Sequence, residues 1–229
     1  MTDQALPEGN EKRTAVRSMF DTIAPRYDMV NRLMTFRMDV GWRRTTIKSL
    51  NLKPGSTVLD LACGTGDFCA ELKEVGHLPL GVDLSYGMLA ASKHQVPFVQ
   101  GDLTTMPIKA GAADAAVCGF ALRNLVALPP FFNELHRVLR PGGTIALLDV
   151  SQPDNRILAA GHSIYFNKVV PKIGAALSDR EAYAYLPRSV SYLPDPEEMK
   201  QLLKDSGLTD ISRQQLTGGL SQLLTATRP

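Results

Sequence analysis

The chain of 229 residues is 44% hydrophobic and 21% charged, the balance of a soluble globular protein with a sizeable core. Its formal net charge of +2 gives no global attraction to polyanions, so we expect no nucleic-acid partner. Cys63, Cys69 and Cys118 have neither metal-ligand spacing nor a disulfide pattern, which predicts no metal site and a cytoplasmic location. No run of about 18 apolar residues occurs, so no membrane-spanning segment is expected.

Hydrophobic periodicity predicts helices and strands in a regular order. From Glu11, apolar residues recur at three- and four-residue steps, which predicts a helix interrupted near Pro25, and a second helix is predicted from Val40 to Leu50. Five strands are then predicted, over 57–62, 78–83, 97–102, 113–121 and 144–150. Intervening helices are predicted over 67–75, 85–94 and 129–139. A helix over 195–207 and a β-hairpin close the chain.

This alternation predicts an α/β protein with a mostly parallel sheet covered on both faces, in one domain over residues 1–229. We expect a helical cap over 1–52, a ligand-binding core over 53–150 and a closing segment over 191–229 that completes the core. Residues 151–190 break the pattern and are rich in aromatic, basic and proline residues. Because this insert follows the carboxyl end of a strand, where open α/β sheets bind ligands, it is predicted to be a substrate lid.

The stretch "VLDLACGTGDF" (58–68) leads from a strand into a glycine turn, and its spacing separates three ligand classes. A P-loop needs a lysine after the second glycine, and none follows. A dinucleotide site prefers a third glycine where Cys69 stands. Asp60, Gly64 and Gly66 instead fit the turn of enzymes that bind S-adenosylmethionine (AdoMet), with a purely structural tight turn as the alternative.

Two further acidic residues end the next strands and favour AdoMet. Asp83 is placed to accept hydrogen bonds from ribose hydroxyls, a contact that an NAD site shares. Asp102 is placed to accept from the adenine amino group, with the Leu103 N–H facing the ring. The predicted cofactor-binding residues are Asp60, Gly64, Thr65, Gly66, Asp83, Leu84, Asp102, Leu103 and Gly119.

Three motifs resemble the menaquinone/ubiquinone C-methyltransferase family. They are "YDMVNRLMTFRMDVGWRR" (27–44), "GFALRN" (119–124) and "YFNKVVPKIGAALSDREAYAYLPRSVSYLPDPEEM" (165–199). "RPGGT" and the final hairpin are similar to features of class I AdoMet-dependent methyltransferases. The resemblance implies a Rossmann-like, seven-stranded, mostly parallel sheet with an antiparallel last strand. This chain departs from the family pattern at Val30, Thr35, Ala121 and Gly119, the last at a place where the family often has a serine that contacts AdoMet.

The family reaction methylates a ring carbon of a reduced, prenylated quinone, which requires loss of a hydroxyl proton and stabilisation of the oxyanion. Tyr27 and Asp28 are candidates to position or accept that proton, although helix packing and helix capping are the alternatives. Arg123 is a candidate for oxyanion stabilisation, directly or through water, with a structural ion pair as the alternative. Asn31 and Asn124 are candidates to orient the ring hydroxyls.

The insert contains an aromatic group that would line a prenyl tunnel or form the insert's own core: Tyr165, Phe166, Tyr183 and Tyr185.

The resemblance therefore implies AdoMet-dependent C-methylation of a prenylated demethylmenaquinol. Methylation of a benzoquinol of the ubiquinone type, and a catalytically degenerate AdoMet-binding scaffold, are the alternatives; an NAD oxidoreductase is a more distant one. The basic segment "WRRTTIK" (42–48) and the N-terminal helix would contact the inner face of a membrane as a peripheral surface, or simply face solvent. A homodimer is a further hypothesis.

Overall fold

The computed structural model describes residues 8–153, 155–165 and 169–229, and its centre is a seven-stranded sheet. The strands are β1 Thr57–Leu61, β2 Leu78–Asp83, β3 Phe98–Gln100, β4 Ala113–Gly119, β5 Leu139–Val150, β6 Thr209–Leu216 and β7 Ser221–Thr227. Their order across the sheet is β3-β2-β1-β4-β5-β7-β6. Strand β7 is antiparallel to both of its neighbours, β5 and β6, whereas the other pairs are parallel. The predicted mostly parallel sheet with an antiparallel last strand is confirmed.

Ten α-helices occur in the described residues. They are α1 Gly9–Ile23, α2 Tyr27–Met34, α3 Met38–Ser49, α4 Asp67–Glu74, α5 Tyr86–Ala90, α6 Leu128–Val138, α7 Arg156–Ile164, α8 Val170–Leu177, α9 Arg180–Ser189 and α10 Pro196–Asp205. Pro25 lies in a 3₁₀ turn between α1 and α2, which is the predicted interruption. Residues 166–168 of the insert motif, including Phe166, lie outside the described residues.

The largest differences from the predicted element boundaries are at α5 and β5, each for a local reason. Helix α5 ends at Ala90 and not near His94, because the Ser92 hydroxyl accepts from the His94 N–H and turns the chain. Strand β5 begins at Leu139 and not at residue 144, because Leu139 already pairs with Ala113 before an irregularity in the register.

The sheet is buried on both faces, which explains its small, apolar central strand. Side chains alternate along a strand, so Ala116 and Cys118 of β4 join the core on one face, while Ala115 and Val117 join the core on the other. Phe131 and Leu135 of α6 cover the first face. Helices α3 and α4 cover the second. The layers leave the carboxyl ends of the strands open along one edge of the sheet.

Helices from both ends of the α/β core meet over that edge. Ile23 of α1 and Val30 of α2 form a separate buried cluster with Ala182 and Tyr183 of α9. The N-terminal helices and the helices after β5 thereby enclose the ends of the strands. None of the helices within the described ranges has the length and hydropathy needed to cross a membrane.

Candidate active site

The glycine turn after β1 adopts a backbone that side chains disfavour. Gly64 and Gly66 have φ angles of 55° and 91°, in the left-handed region. A Cβ atom at Gly66 would lie 2.6 Å from the Phe98 ring, and one at Gly64 would lie 2.9 Å from the Met88 methyl group. The turn therefore needs glycine for both conformation and space.

Asp60 lies behind this turn and lines neither of the two cavities described below. It is buried, and its Oδ2 accepts from the Cys69 backbone N–H at 3.1 Å, in the first turn of α4. Burial raises the pKa of Asp60 to about 7, against the lowering effect of the Cys69 N–H, and nearby Asp83 raises it further. Asp60 thus supports the turn from within the core, and its predicted part in cofactor binding stays a prediction.

Asp83 fixes the turn from the end of β2. Its Oδ2 accepts from the Gly64 N–H and its Oδ1 from the Ser85 N–H, both at 2.8 Å. Burial raises the pKa of this carboxyl, and the two backbone donors oppose that rise. A carboxylate has about four lone-pair sites, so two remain for a ligand.

Asp102 follows β3, and one of its carboxylate oxygens accepts hydrogen bonds within its own loop. Oδ1 accepts from the Thr104 N–H and hydroxyl, both at 2.8 Å. Oδ2 forms an ion pair with Arg13 of α1 at 2.9 Å. Sequence reasoning missed Arg13, because nothing in a helical stripe indicates which distant loop the helix covers.

Asp83 and Asp102 line one cavity of about 440 Å³, here called the acidic cavity. Of the nine predicted cofactor-binding residues, six line it: Gly64, Asp83, Leu84, Asp102, Leu103 and Gly119. The other three, Asp60, Thr65 and Gly66, belong to the turn or lie behind it. Helix α1 forms the roof of this cavity through Arg13, Val16 and Arg17.

A second space of about 570 Å³, here called the apolar cavity, lies beneath α1, α2 and the helices after β5. Its walls are mainly hydrophobic and include Met19, Ile23, Met34, Trp42, Tyr165 and Tyr183. Its polar lining includes the candidate residues Tyr27, Asn31 and Arg123. Its volume is in the range of small-molecule sites.

Tyr27 lines both cavities, together with Phe20 and Phe120. The acidic and apolar cavities therefore adjoin at these three rings. Burial raises the pKa of Tyr27 well above its ordinary value, and the positive charge of Arg123 partly offsets that rise. Tyr27 is thus a neutral phenol at neutral pH, able to donate a hydrogen bond.

Arg123 is buried and forms an ion pair with Asp149, which is fully buried at the end of β5. Asp149 also accepts from the backbone N–H groups of Leu122 and Val150 at 3.0 and 2.8 Å. The Arg123 Nε has no hydrogen-bond partner among the residues that the structure describes. Sequence reasoning missed Asp149, although a buried arginine after β4 demands a partner and the neighbouring strand ends in a carboxylate.

The remaining candidates are placed apart from one another. Asn124 lines the acidic cavity, whereas Arg123 beside it lines the apolar one. The Asn124 Oδ1 has no hydrogen-bond partner in the described part of the chain. Asp28 lines neither cavity; its Oδ1 accepts from the Thr65 hydroxyl at 2.6 Å, which ties α2 to the glycine turn. Within the described ranges, no group of three or more metal-ligating side chains is found.

The basic segment on α3 has one buried cation, Arg43, and two exposed ones, Arg44 and Lys48. Arg43 is buried and contacts Asp39 at 2.8 Å, Asp67 at 3.2 Å and Glu71 at 2.8 Å. These contacts hold α3 against α4, the helix that the glycine turn begins. Arg43 is therefore directed into the protein, so a membrane contact of this segment would rest on Arg44 and Lys48 and stays a prediction.

Comparison with known proteins identifies the family. The model of the "ubiE/COQ5 methyltransferase family" matches residues 8–228. A demethylmenaquinone methyltransferase of Roseiflexus castenholzii is 37% identical over 220 residues, covering 93% of this chain and 92% of the relative. A ubiquinone/menaquinone biosynthesis C-methyltransferase of Syntrophotalea carbinolica is 36% identical over 221 residues, covering 93% of each.

Solved structures share the fold at low sequence identity. A SAM-dependent methyltransferase of Thermotoga maritima superposes with a TM-score of 0.68 at 17% identity, covering 93% of this chain and all of the other. Phosphoethanolamine N-methyltransferase 2 of Haemonchus contortus, solved with S-adenosyl-L-methionine, gives 0.61 at 16% identity, covering 82% of this chain and 52% of the other. With the sheet order, the glycine turn and a family match over almost its whole length, the chain belongs to the ubiE/COQ5 methyltransferase family and is an AdoMet-dependent methyltransferase.

Proposed function

We propose that this enzyme methylates a ring carbon of a prenylated demethylmenaquinol, the last step in forming a menaquinol. The observation that carries the proposal is the pair of cavities that adjoin at Tyr27, one lined by Asp83 and Asp102 and the other mainly hydrophobic. Relatives named demethylmenaquinone methyltransferase, about as long as this chain, support the choice of acceptor.

The acidic cavity fits the methyl donor. Two lone-pair sites of Asp83 are left for ribose hydroxyls, and none of the described residues donates a hydrogen bond to the Asn124 amide oxygen. Gly119 lines this cavity at the end of β4, and the position requires glycine because an added Cβ atom would lie 2.6 Å from the Phe68 ring. When bound, AdoMet supplies a methyl group made electrophilic by its sulfonium.

The apolar cavity fits a quinol ring with a hydrocarbon tail. Loss of a hydroxyl proton gives the ring carbon enolate character and leaves negative charge on oxygen. The Arg123 guanidinium, held by Asp149, stabilises that oxyanion, and the neutral Tyr27 phenol donates a hydrogen bond to the ring oxygens. Asn31 orients the ring from α2.

Helices α7 to α9 act as the lid over this cavity in our proposal. His162, Tyr165, Val170 and Tyr183 of this region line it. Exclusion of water favours methyl transfer, because an enolate-like carbon then has no competing proton donor and electrostatic contacts strengthen. Since a prenyl tail partitions into a bilayer, we further propose that the enzyme works at the cytoplasmic face of a membrane.

Incubation with labelled AdoMet tests the function directly. The protein is supplied with reduced demethylmenaquinone or with its benzoquinone counterpart, and each extracted quinone is counted. We expect label in the naphthoquinone product. Label only in the benzoquinone would transfer the proposal to the ubiquinone-type reaction, and label in neither would overturn both and favour a degenerate scaffold.

Asp83→Asn is expected to weaken AdoMet binding about 10- to 100-fold, the equivalent of about 1.5–3 kcal/mol for a hydrogen bond to a charged group. The amide loses the charge and presents an N–H donor toward the Gly64 or Ser85 N–H. Titration calorimetry measures the change. The matched control is Asp114→Asn, since Asp114 also accepts a backbone N–H, that of Thr57, but at the other end of the strands. Equal affinity in the two variants would show that Asp83 does not hold the donor.

A further inference from the structure

Exposed hydrophobic side chains occur on the two chain segments that line one side of the apolar cavity. Ten large hydrophobic side chains are exposed in the described part of the chain, and six of them come from two short stretches. These six, here called the apolar rim, are Met29, Leu33, Phe36, Leu158, Ile164 and Val169. Contiguous exposed apolar residues mark an interaction site.

The two stretches lie against each other. The Tyr165 hydroxyl donates to the Met34 carbonyl at 2.8 Å, and the rings of Phe36 and Tyr165 are 5.7 Å apart. Phe36 and Leu158 also line the apolar cavity, so the rim borders its opening. Phe36 has a φ of 50°, a left-handed conformation uncommon for a bulky residue, and the residue is 68% exposed.

The rim is flanked by positive charge. No Asp or Glu occurs between residues 29 and 38 or between 155 and 178, whereas Arg37 and Lys172 are exposed. A symmetric contact with a second copy of the chain would bring these cations together. Anionic lipid headgroups complement them instead.

We propose that the apolar rim docks on a bilayer that contains anionic lipid, with Leu33, Phe36 and Ile164 among the acyl chains and the flanking cations against the headgroups. The inference rests on the proposed function, because the cavity mouth would then open toward the membrane in which a prenylated acceptor resides.

Vesicle co-sedimentation tests the surface, with phosphatidylcholine vesicles that contain phosphatidylglycerol. We compare the wild type with Leu33→Glu/Ile164→Glu, whose targets are 49% and 57% exposed and line neither cavity. The matched control is Val75→Glu/Leu78→Glu, whose targets are 55% and 60% exposed and lie at the amino end of the strands. We expect the rim variant to bind vesicles at least about tenfold more weakly than the wild type, and the control to bind as the wild type does.

A second assay separates docking from catalysis. A short-tailed, water-soluble demethylmenaquinol should be methylated at the wild-type rate by both double variants without vesicles. Absence of this turnover in the wild type would overturn the proposed function, while co-sedimentation still reports on docking. Vesicle binding by the rim variant equal to that of the wild type would overturn docking. A wild-type dimer that the rim substitutions convert to monomer would also overturn it, because a second copy would then cover the rim.

Discussion

Asp149→Asn is expected to lower the free energy of unfolding by about 3–5 kcal/mol, because it leaves the buried Arg123 charge without its partner. Methyl transfer should fall with it, since the guanidinium is no longer held in the apolar cavity wall. The amide oxygen of the variant still accepts a hydrogen bond from the Leu122 or Val150 N–H. The loss of stability therefore comes mainly from the removal of the Asp149 charge. Urea unfolding and the labelled-AdoMet assay measure the two effects.

The double variant Arg123→Met/Asp149→Asn distinguishes the effect of the ion pair on stability from its effect on methyl transfer. Removal of both charges should restore most of the lost stability, because neither residue is then a lone buried ion. Activity should stay low, because the oxyanion has lost its cation. The matched control is Arg140→Met, since Arg140 pairs with Asp114 at 2.7 Å on the surface and its loss should cost only about 0–1 kcal/mol.

Two results would contradict this account of the pair. Wild-type stability in Asp149→Asn would show that the ion pair does not hold Arg123. Wild-type activity in the double variant would remove Arg123 from the reaction.

Asp60 should make the protein less stable as the pH rises. Its pKa is raised to about 7 by burial in the folded chain, against an ordinary value of 3.8. Between pH 3.8 and about pH 7 the folded state keeps a proton on Asp60 that the unfolded state has released. The stabilisation that this proton gives is complete below the unfolded-state pKa and is lost as the pH rises through the folded-state pKa. The rise corresponds to at most roughly 4 kcal/mol.

Asp60→Asn tests this dependence. The amide oxygen can still accept from the Cys69 N–H, while the titration is removed, so the fall in unfolding free energy between pH 5 and pH 8 should become smaller. Denaturant unfolding at several pH values measures it. The same slope in the variant and the wild type would show that other groups, such as the neighbouring Asp83, carry the dependence.

Local patterns were sufficient for the elements of the core. Hydrophobic periodicity predicts the alternating strands and helices. The glycine turn could be predicted because Gly64 and Gly66 are the residue type that a left-handed backbone favours. Asp83 and Asp102 could be placed at one edge because parallel strands end on the same side of a sheet. The resemblance of three motifs to a known family predicted the reaction, which hydrophobic periodicity alone does not indicate.

Tertiary structure alone decided which groups meet. Arg123 and Asp149 are 26 residues apart, Arg13 and Asp102 are 89 apart, and each pair forms only because separate elements fold onto one edge of the sheet. The same packing moved Asp60 behind the turn, buried Arg43 among carboxylates and placed Tyr27 between two cavities. The sequence by itself determined the elements and the donor-binding turn, because both depend on neighbouring residues. The joined cavities and the charge pairs depend on long-range packing, which no local pattern encodes.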